Sequence, residues 1–334
     1  MKRAVSRELA SPDPRLEADI RRRLDEVEVA LRDGVQSDTR IVAEAGAHLL
    51  EAGGKRFRPM LVLLGGYFGD PHEPRLVRAA VAIELAHLAT LYHDDVIDEA
   101  DSRRGIASVN ARWDNTVAIL TGDFLFARAS EVAADLGADV IRLLAHTIGQ
   151  VTEGQIREVE AAGRIDIDQE TYLGVISRKT ASLIATSCRV GGMAAGAPGG
   201  VIEILERFGR ALGMAFQLSD DIMDLIADEA TLGKEPGVDL REGVFTLPVI
   251  QALQGSEHRD ELRQLLGEPS LDGERFARVI EIVRGDSALD GARRAVAAEV
   301  RRALAEAGRL PSGAPRDTLE HLARFLADRC GATT

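Results

Sequence analysis

The stretch Asp94-Asp95-Val96-Ile97-Asp98 decides the fold, because it returns later in the chain as Asp220-Asp221-Ile222-Met223-Asp224. Each acidic cluster follows an apolar run with helical spacing, Ala79–Tyr92 before the first and Val201–Leu218 before the second. Residues i and i+4 share one face of a helix, so each cluster directs two carboxylates the same way and keeps a third beside them. The pattern predicts two helices that each present a group of carboxylates.

Such groups of carboxylates indicate a metal site. Like charges packed closely repel one another, and the repulsion is tolerated mainly where cations lie between them. Oxygen ligands select a hard ion such as Mg²⁺, which usually binds one or two carboxylates together with substrate phosphates. The two clusters therefore predict two helices that face each other across a cavity, with a magnesium-bound diphosphate between them. For either cluster alone a solvated acidic face is the better explanation, but two matching clusters, each followed by basic residues, favour the metal site.

Composition narrows the classes of function. The chain has 334 residues, enough for one large domain or two ordinary ones. Its formal net charge of −13 argues against a nucleic-acid partner, so an anionic substrate must bind in a local basic pocket. Cys188 and Cys330 are too few and too far apart for a disulfide framework or a zinc site, which indicates a reducing cytoplasm.

Helical periodicity extends from Arg15 to the end of the chain, and no stretch alternates clearly enough to predict a strand. Residues 1–14 are charged, contain two prolines and lack an apolar core, so they predict a flexible N-terminal tail rather than a signal peptide. We expect one all-α domain over residues 15–334. No apolar run predicts a membrane span, because each is interrupted by a polar or charged residue. The clearest helical segments are Glu17–Leu31, Ala43–Glu51, Leu76–Tyr92, Thr116–Leu136, Val140–Ala161 and Ala181–Gly196.

Basic residues are concentrated at three places. Residues 53–59, Gly-Gly-Lys-Arg-Phe-Arg-Pro, put three cations at a helix start, where backbone N–H groups and the helix dipole already favour an anion. An ordinary solvated helix start is the alternative. Arg103-Arg104-Gly105 follows the first acidic cluster, close enough either to bind metal-bridged phosphates or to neutralise neighbouring acidic residues. Arg178-Lys179-Thr180 interrupts an apolar helical run, where a cation needs a partner or a function.

Taken together, these segments resemble the trans-isoprenyl diphosphate synthases, also called polyprenyl synthetases, of the medium- to long-chain type. The resemblance spans roughly residues 53–248 and is highly specific, because many motifs occur in the same order. It implies the isoprenoid synthase fold, a single large helical bundle around a deep central cavity, assembled as a homodimer. Besides the segments quoted above, the resemblance rests on His93 before the first acidic cluster, Phe216-Gln217-Leu218-Ser219 before the second, and Gly233-Lys234 and residues 237–243 after it.

The resemblance implies that the acidic residues bind Mg²⁺. Asp94 and Asp98 would bind it on the allylic diphosphate, and Asp220 would bind a further ion, with roughly three ions in all when a diphosphate is bound. The other carboxylates of the two clusters would hold metal-bound waters or orient the ligands, and these are Asp95, Asp221 and Asp224.

The resemblance also implies two diphosphate pockets. Isopentenyl diphosphate would contact Lys55, Arg58, His87 and Arg104, although a lone histidine on a helix is more often structural. The allylic diphosphate would contact Arg103, Lys179, Thr180, Gln217 and Lys234. The residues expected to act in catalysis are Asp94, Asp98, Arg103, Lys179, Thr180, Gln217 and Asp220.

The implied reaction joins isopentenyl diphosphate to an allylic diphosphate and gives an all-trans polyprenyl diphosphate. Ala89 and Thr90 lie five and four residues before Asp94, which places them roughly 6–8 Å deeper along the helix. In relatives a bulky aromatic near the fifth position stops chain growth. Ala89 therefore predicts a product longer than twenty carbons, between thirty and fifty, of the kind used for quinone side chains. The alternative is that Ala89 is a small residue where two helices pack.

Other functions stay open at this point. They are a short-chain farnesyl or geranylgeranyl diphosphate synthase, a class I terpene cyclase, and a non-catalytic subunit of a heteromeric prenyl synthase. Val244 stands where relatives often carry a lysine, and Asp114 stands where many carry a small residue. We expect both differences to tune activity rather than abolish it. No nucleic acid is expected as a partner, and at most a peripheral membrane contact for product release.

Overall fold

The computed structural model describes residues 11–227, 236–267, 271, 273–285 and 287–333. Over these residues the chain is almost entirely helical, which confirms the all-α prediction. Residues 1–10 of the predicted tail lie outside this part of the chain, and the first helix begins at Pro14. Its start is capped by Asp13, whose carboxylate accepts hydrogen bonds from the backbone N–H of Arg15 (2.7 Å) and of Leu16 (3.2 Å).

Contacts between Cα atoms divide the chain into two compact units. The first comprises residues 1–149, 183–209 and 306–321, and the second comprises residues 150–182, 210–305 and 322–334. The chain passes between them several times, and each boundary falls inside a helix. The expectation of a single domain stays a prediction.

In the first unit a long alanine-rich helix forms the centre. This helix, α4, packs against α1, α3 and α6. Ala79, Ala82, Ala86 and Ala89 are all buried along it, so neighbouring helices approach closely. The helices are α1 (Pro14–Gly34), α2 (Arg40–Glu51), α3 (Phe57–Gly66), α4 (Arg75–Ile97), α5 (Val109–Arg112), α6 (Asn115–Asp135) and the first half of α7 (Ala138–Ala161).

A small hairpin follows α4, and it contradicts the expectation of no strands. β1 (Ser102–Arg103) pairs antiparallel with β2 (Ile106–Ala107). The two-residue turn between them, Arg104-Gly105, has φ values of +54° and +76°, as a type I′ turn requires. The hairpin places Arg103 on a strand and Arg104 in the turn, and the two arginines have different partners.

In the second unit one helix contains an irregular turn. α8 (Gln169–Ile176) continues through a π-helical turn (Ser177–Ala181) into α9 (Ser182–Ala194). A Cβ on Gly154 of α7 would lie 2.6 Å from the backbone nitrogen of Lys179, so only glycine allows this approach. The later helices are α10 (Gly199–Ile226), α11 (Val238–Arg241), α12 (Leu247–Gly255), α13 (Arg259–Leu266), α14 (Gly273–Gly285), α15 (Ser287–Ala307) and α16 (Ala314–Cys330).

A helix that crosses a bilayer needs about 20 predominantly apolar residues. Within the described part of the chain, no helix is both long enough and apolar enough to cross a membrane.

Candidate active site

The first acidic cluster lies at the C-terminal end of α4. Asp94 is half-buried, Asp95 is fully buried, and Asp98 is exposed as the residue that caps the helix. The backbone N–H of Asp98 still donates to the carbonyl of Asp94 at 2.8 Å, so the helical spacing of these two residues is kept. The carboxylates of Asp94 and Asp98 therefore start from neighbouring positions on one face, as the sequence predicts.

Asp95 is held by the hairpin. The Nε of Arg103 donates to one oxygen of Asp95 at 2.6 Å, and the other oxygen is buried without a hydrogen-bond partner in the described structure. Burial raises the pKa of Asp95, and the positive charge of Arg103 opposes that rise. Arg103 thus neutralises a neighbouring acidic residue, which is the alternative that the sequence left open. Asp95 thus keeps one buried oxygen without a hydrogen-bond partner, as expected of a carboxylate that holds a metal-bound water.

A cluster of cations surrounds His87, which lies two helical turns before Asp94 on α4. The Nη1 of Arg58 lies 3.1 Å from the Nε2 of His87. Burial lowers the pKa of His87 well below its ordinary value, and the charges of Arg58, Arg104, Arg56 and Arg103 lower it further. His87 is therefore neutral at pH 7 and accepts the hydrogen bond from Arg58. This cation cluster is a local positive region in a strongly acidic protein.

Two arginines of the cation cluster, Arg56 and Arg104, also have partners within the fold. Arg56 is buried and forms ion pairs with Glu28 and with Glu84, the latter at 3.1 Å. Arg104 donates through Nη1 to the carbonyl of Leu49 at 3.0 Å and also to that of Gly53. Lys55, by contrast, is exposed. Arg58 and His87 thus lie together as predicted, while Arg104 already has backbone partners.

The second acidic cluster lies in the last turns of α10, and its middle residue is part of a buried network. The Nε2 of Gln217 donates to Asp221 at 2.9 Å, and the hydroxyl of Tyr172 donates to the other oxygen of Asp221. Thr180 donates to the amide oxygen of Gln217 at 2.8 Å. Burial raises the pKa of Asp221, and the nearby charge of Asp239 raises it further. The network fixes Gln217 and Thr180 relative to the cluster.

Asp220 has a partner from the end of the chain. The Nη2 of Arg329, on α16, donates to Asp220 at 2.6 Å, and its Nε donates to the hydroxyl of Ser219 at 2.5 Å. Asp220 remains partly exposed, with a side-chain accessibility of 41%. Asp224, one turn later, is buried. Asp220 is thus the carboxylate of this cluster with access to solvent.

Lys179 lies inside the π-helical turn and forms an ion pair with Glu158 of α7. The side chain of Lys179 is 25% accessible, so it is not closed off from solvent. π-Helical turns occur frequently at functional sites, because they redirect side chains out of the regular helical spacing. Lys234, the remaining cation expected for the allylic diphosphate, lies outside the described residues.

The donor set is compatible with a divalent metal. Among the described residues, no group of three His, Cys, Asp or Glu side chains is close enough to hold an ion without other ligands. Mg²⁺ does not require such a cage, because it usually takes one or two carboxylates and completes its shell with water and phosphate oxygens. Asp94, Asp98 and Asp220 supply such carboxylates, and all of them are reachable from solvent.

The sequence matches the model of one protein family, polyprenyl synthetase, from residue 39 to residue 283. This chain belongs to the polyprenyl synthetase family. It is therefore a prenyltransferase of the all-α isoprenoid synthase fold, as the sequence motifs predict.

Relatives of this polyprenyl synthetase cover nearly its whole length. Heptaprenyl diphosphate synthase component 2 from Geobacillus stearothermophilus is 42% identical, with 91% of this chain and 94% of the relative covered. Nonaprenyl diphosphate synthase from Mycobacterium tuberculosis is 40% identical, with 92% and 90% covered. The crystal structure of geranylgeranyl pyrophosphate synthase from Corynebacterium glutamicum, complexed with calcium and isoprenyl diphosphate, is 42% identical, has a TM-score of 0.85, and covers 96% of this chain and 98% of its own.

Sequence reasoning missed several residues of this polyprenyl synthetase that contact the expected site residues. They are Tyr172 on Asp221, Glu158 on Lys179 and Arg329 on Asp220. Each of these pairs joins residues that are far apart in the sequence, so a local sequence pattern does not predict the contact. Only Arg329 had a local signal, because it directly precedes the buried Cys330 in the last turn of an amphipathic helix.

Proposed function

We propose that this enzyme is a Mg²⁺-dependent trans-polyprenyl diphosphate synthase that extends an allylic diphosphate with isopentenyl diphosphate. One observation carries the proposal: a cation cluster around a neutral His87 exists separately from the carboxylates of Asp94 and Asp98. A carboxylate site suits a diphosphate bridged by metal, whereas a cation cluster suits a diphosphate bound directly. Two different modes of binding match two diphosphate substrates, and a terpene cyclase needs only one.

The acidic clusters are proposed to hold the metal. Asp94, Asp98 and Asp220 would be its ligands, and Asp95, Asp221 and Asp224 would orient them. The support from comparison is that a 42% identical synthase was crystallised with calcium and isoprenyl diphosphate. Bound Mg²⁺ would supply positive charge for the departing diphosphate.

The side chains near Lys179 are proposed to handle the allylic substrate. The ammonium of Lys179 would neutralise the negative charge that grows on the leaving diphosphate, with Arg103 and Lys234 as further cations. The hydroxyl of Thr180 and the amide of Gln217, which are already linked at 2.8 Å, would turn oxygen dipoles toward the positive allylic carbon. Their fixed geometry lowers the reorganisation needed when charge develops. The double bond of isopentenyl diphosphate then attacks the allylic carbon, whose bond to oxygen breaks to release the diphosphate. The departing diphosphate takes up the proton that is lost from the isopentenyl unit.

A product longer than twenty carbons is proposed from Ala89 and from the relatives. Ala89 is buried on α4 and Thr90 is half-buried, its hydroxyl donating to the carbonyl of His87 at 2.7 Å. Neither side chain is a bulky aromatic of the kind that stops chain growth in relatives. Relatives named for heptaprenyl and nonaprenyl diphosphate support a long product, while the Corynebacterium structure is named for geranylgeranyl pyrophosphate.

The quaternary structure is proposed to be a homodimer. Helix α6 exposes two adjacent apolar side chains, Ile119 (43% accessible) and Leu120 (58%), which a second copy of the chain would cover. A heteromer is the alternative, because one relative is named component 2 of a heptaprenyl synthase. Light scattering of Leu120→Glu beside the natural protein tests the dimer: a shift from dimer to monomer supports it. A natural protein that is monomeric contradicts it.

The cell compartment is proposed to be the cytoplasm. Cys188 and Cys330 are both buried free thiols, which persist in a reducing environment.

Incubation of the pure protein with Mg²⁺, an allylic diphosphate and isopentenyl diphosphate tests the function. Chromatography of the dephosphorylated products separates the candidates. Linear chains support the proposal, and cyclic hydrocarbons indicate a cyclase instead. If the pure protein gives no product but gains activity on addition of a second subunit, it is one component of a heteromer.

A further inference from the structure

Gln155 of α7 is a buried amide without a partner. Gln155 is only 7% accessible, and neither the Nε2 nor the Oε1 of its side chain has a hydrogen-bond partner. The great majority of buried polar side-chain atoms in proteins are hydrogen-bonded, because an unpaired one loses its contacts with water and gains none. An amide with both ends unpaired is therefore a candidate for binding something that the folded chain does not itself supply.

Two contacts on the same helix show what lies beside this amide. Gly154, the preceding residue, is in backbone contact with Lys179: a Cβ there would lie 2.6 Å from the Lys179 nitrogen and 3.0 Å from its Cα. Glu158, three residues after Gln155 and on the same face, forms the ion pair with Lys179. Gln155 thus lies on the side of α7 that packs against the π-helical turn.

The π-helical turn carries the residues proposed for the allylic substrate. Lys179 presents its ammonium there, and Thr180 donates its hydroxyl to Gln217. The unpaired amide of Gln155 lies next to this turn and is well placed to bind the allylic substrate as well. The turn supplies a cation and a hydroxyl, and the amide would add an N–H donor that has no other partner.

We propose that Gln155 binds the allylic diphosphate, with its Nε2 donating to a diphosphate oxygen and its Oε1 accepting from the ammonium of Lys179. Diphosphate oxygens only accept hydrogen bonds, so the nitrogen end of the amide must face them. The oxygen end then needs a donor, and a lysine ammonium carries three. This inference rests on the proposed function, which assigns Lys179 to the allylic diphosphate.

The competing explanation is that the amide holds only a buried water. Water would satisfy both ends and leave substrate binding untouched. The two explanations differ for Gln155→Leu, which removes the amide and keeps a similar volume. If the amide has no partner in the free protein, the variant should fold at least as stably as the natural protein, because a buried unpaired polar group is lost. If the amide holds a water, the variant loses those hydrogen bonds and some stability with them. Only a ligand-binding amide makes the same variant bind substrate more weakly.

The test measures binding, so that it does not depend on turnover. Isothermal titration with geranyl thiolodiphosphate, an analogue that does not ionise readily, and with inorganic diphosphate is performed in the presence of Mg²⁺. The proteins are the natural chain, Gln155→Leu, and Gln150→Leu as a matched control on the same helix, where the glutamine is half-exposed. Gln155→Met, with a different shape, replaces Gln155→Leu if that variant does not fold.

A hydrogen bond to a charged group contributes enough that Gln155→Leu should bind both probes at least about tenfold more weakly. Gln150→Leu should bind them normally. Steady-state kinetics of Gln155→Leu should show a raised KM for the allylic substrate and an unchanged KM for isopentenyl diphosphate. Normal binding of both probes overturns the proposal, and so does weaker binding of the thiolodiphosphate alone, because the amide would not then face the diphosphate. If the natural protein binds the probes but forms no product, the proposed function fails while this comparison still decides the role of Gln155.

Discussion

The Nη2 of Arg329 donates a 2.6 Å hydrogen bond to the carboxylate of Asp220. The same guanidinium donates to the hydroxyl of Ser219 at 2.5 Å and to the carbonyl of Phe216 at 3.2 Å, so it is fixed from three directions. Arg329 belongs to α16, the last helix of the chain, and Asp220 to α10. The last helix therefore fixes the position of a carboxylate that we propose binds Mg²⁺, which is how outer residues commonly orient metal ligands.

We predict that Arg329→Ala weakens the use of metal. The variant loses one hydrogen bond that orients the Asp220 carboxylate, so the Mg²⁺ concentration for half-maximal rate should rise and kcat should fall, together by about 10- to 100-fold. Arg329→Lys should lose less, because one donor remains. The exposed Arg324 of the same helix provides the control, Arg324→Ala, which should behave normally. An unchanged Mg²⁺ dependence in Arg329→Ala would mean that the contact is only structural.

The pKa of His87 predicts how stability depends on pH. Because burial and the charges of the neighbouring arginines hold the folded-state pKa below the ordinary value of 6.5, the folded protein keeps His87 neutral while the unfolded chain takes up a proton. This contribution is present above pH 6.5 and is lost as the pH falls from 6.5 toward the folded-state pKa.

Denaturant unfolding between pH 5 and pH 8 measures the effect. The free energy of unfolding of the natural protein should fall below pH 6.5 more steeply than that of His87→Gln, by up to about 1.4 kcal/mol per pH unit. His72→Gln removes an exposed histidine and should follow the natural protein. Parallel curves for the natural protein and His87→Gln would contradict a neutral His87.

The two proposed pockets predict different kinetic effects. Lys55→Ala and Arg58→Ala should mainly raise KM for isopentenyl diphosphate, since Arg58 belongs to the cation cluster and Lys55 lies three residues before it. Lys179→Ala should mainly impair the allylic substrate. Arg40→Ala, which removes an exposed cation of α2, controls for the loss of one positive charge. Equal changes in both constants for all of the variants would rule out separate pockets.

The sequence predicted the long helices well and the contacts between them poorly. α4 and α10 were predictable because a 3.6-residue apolar period runs up to each acidic cluster. The hairpin at Arg104-Gly105 was not, because two-residue strands are too short to show alternation. Thr180 and Gln217 were expected near each other only through the family pattern, and they are hydrogen-bonded. Tyr172, whose hydroxyl donates to Asp221, could not be predicted, because the two residues lie 49 positions apart in the sequence.

Product length should respond to Ala89. Position 89 is proposed to be where relatives carry the bulky aromatic that stops chain growth. Ala89→Phe should then keep substantial turnover and shorten the product to about twenty carbons or fewer, while the natural enzyme exceeds that length. Chromatography of the dephosphorylated products gives the answer.

Ala80→Phe is the matched control for Ala89→Phe. Ala80 is equally buried, and nine residues of helix place it on the opposite face of α4. It should cost stability without shortening the product. If Ala89→Phe also loses only stability and activity, Ala89 is a packing residue. If the natural enzyme itself makes a product of twenty carbons or fewer, the hypothesis that Ala89 permits a longer chain is wrong.

Incorporation of labelled isopentenyl diphosphate during a Mg²⁺ titration tests the central claim most directly, namely that both acidic clusters bind the metal used in prenyl transfer. The natural enzyme, Asp94→Ala and Asp220→Ala are compared, with melting temperatures as a check on folding. The account predicts no incorporation without metal, saturation with rising Mg²⁺, and a loss of several orders of magnitude in both variants, because each lacks a metal ligand. Near-normal turnover in either variant, or turnover without a divalent metal, would contradict it.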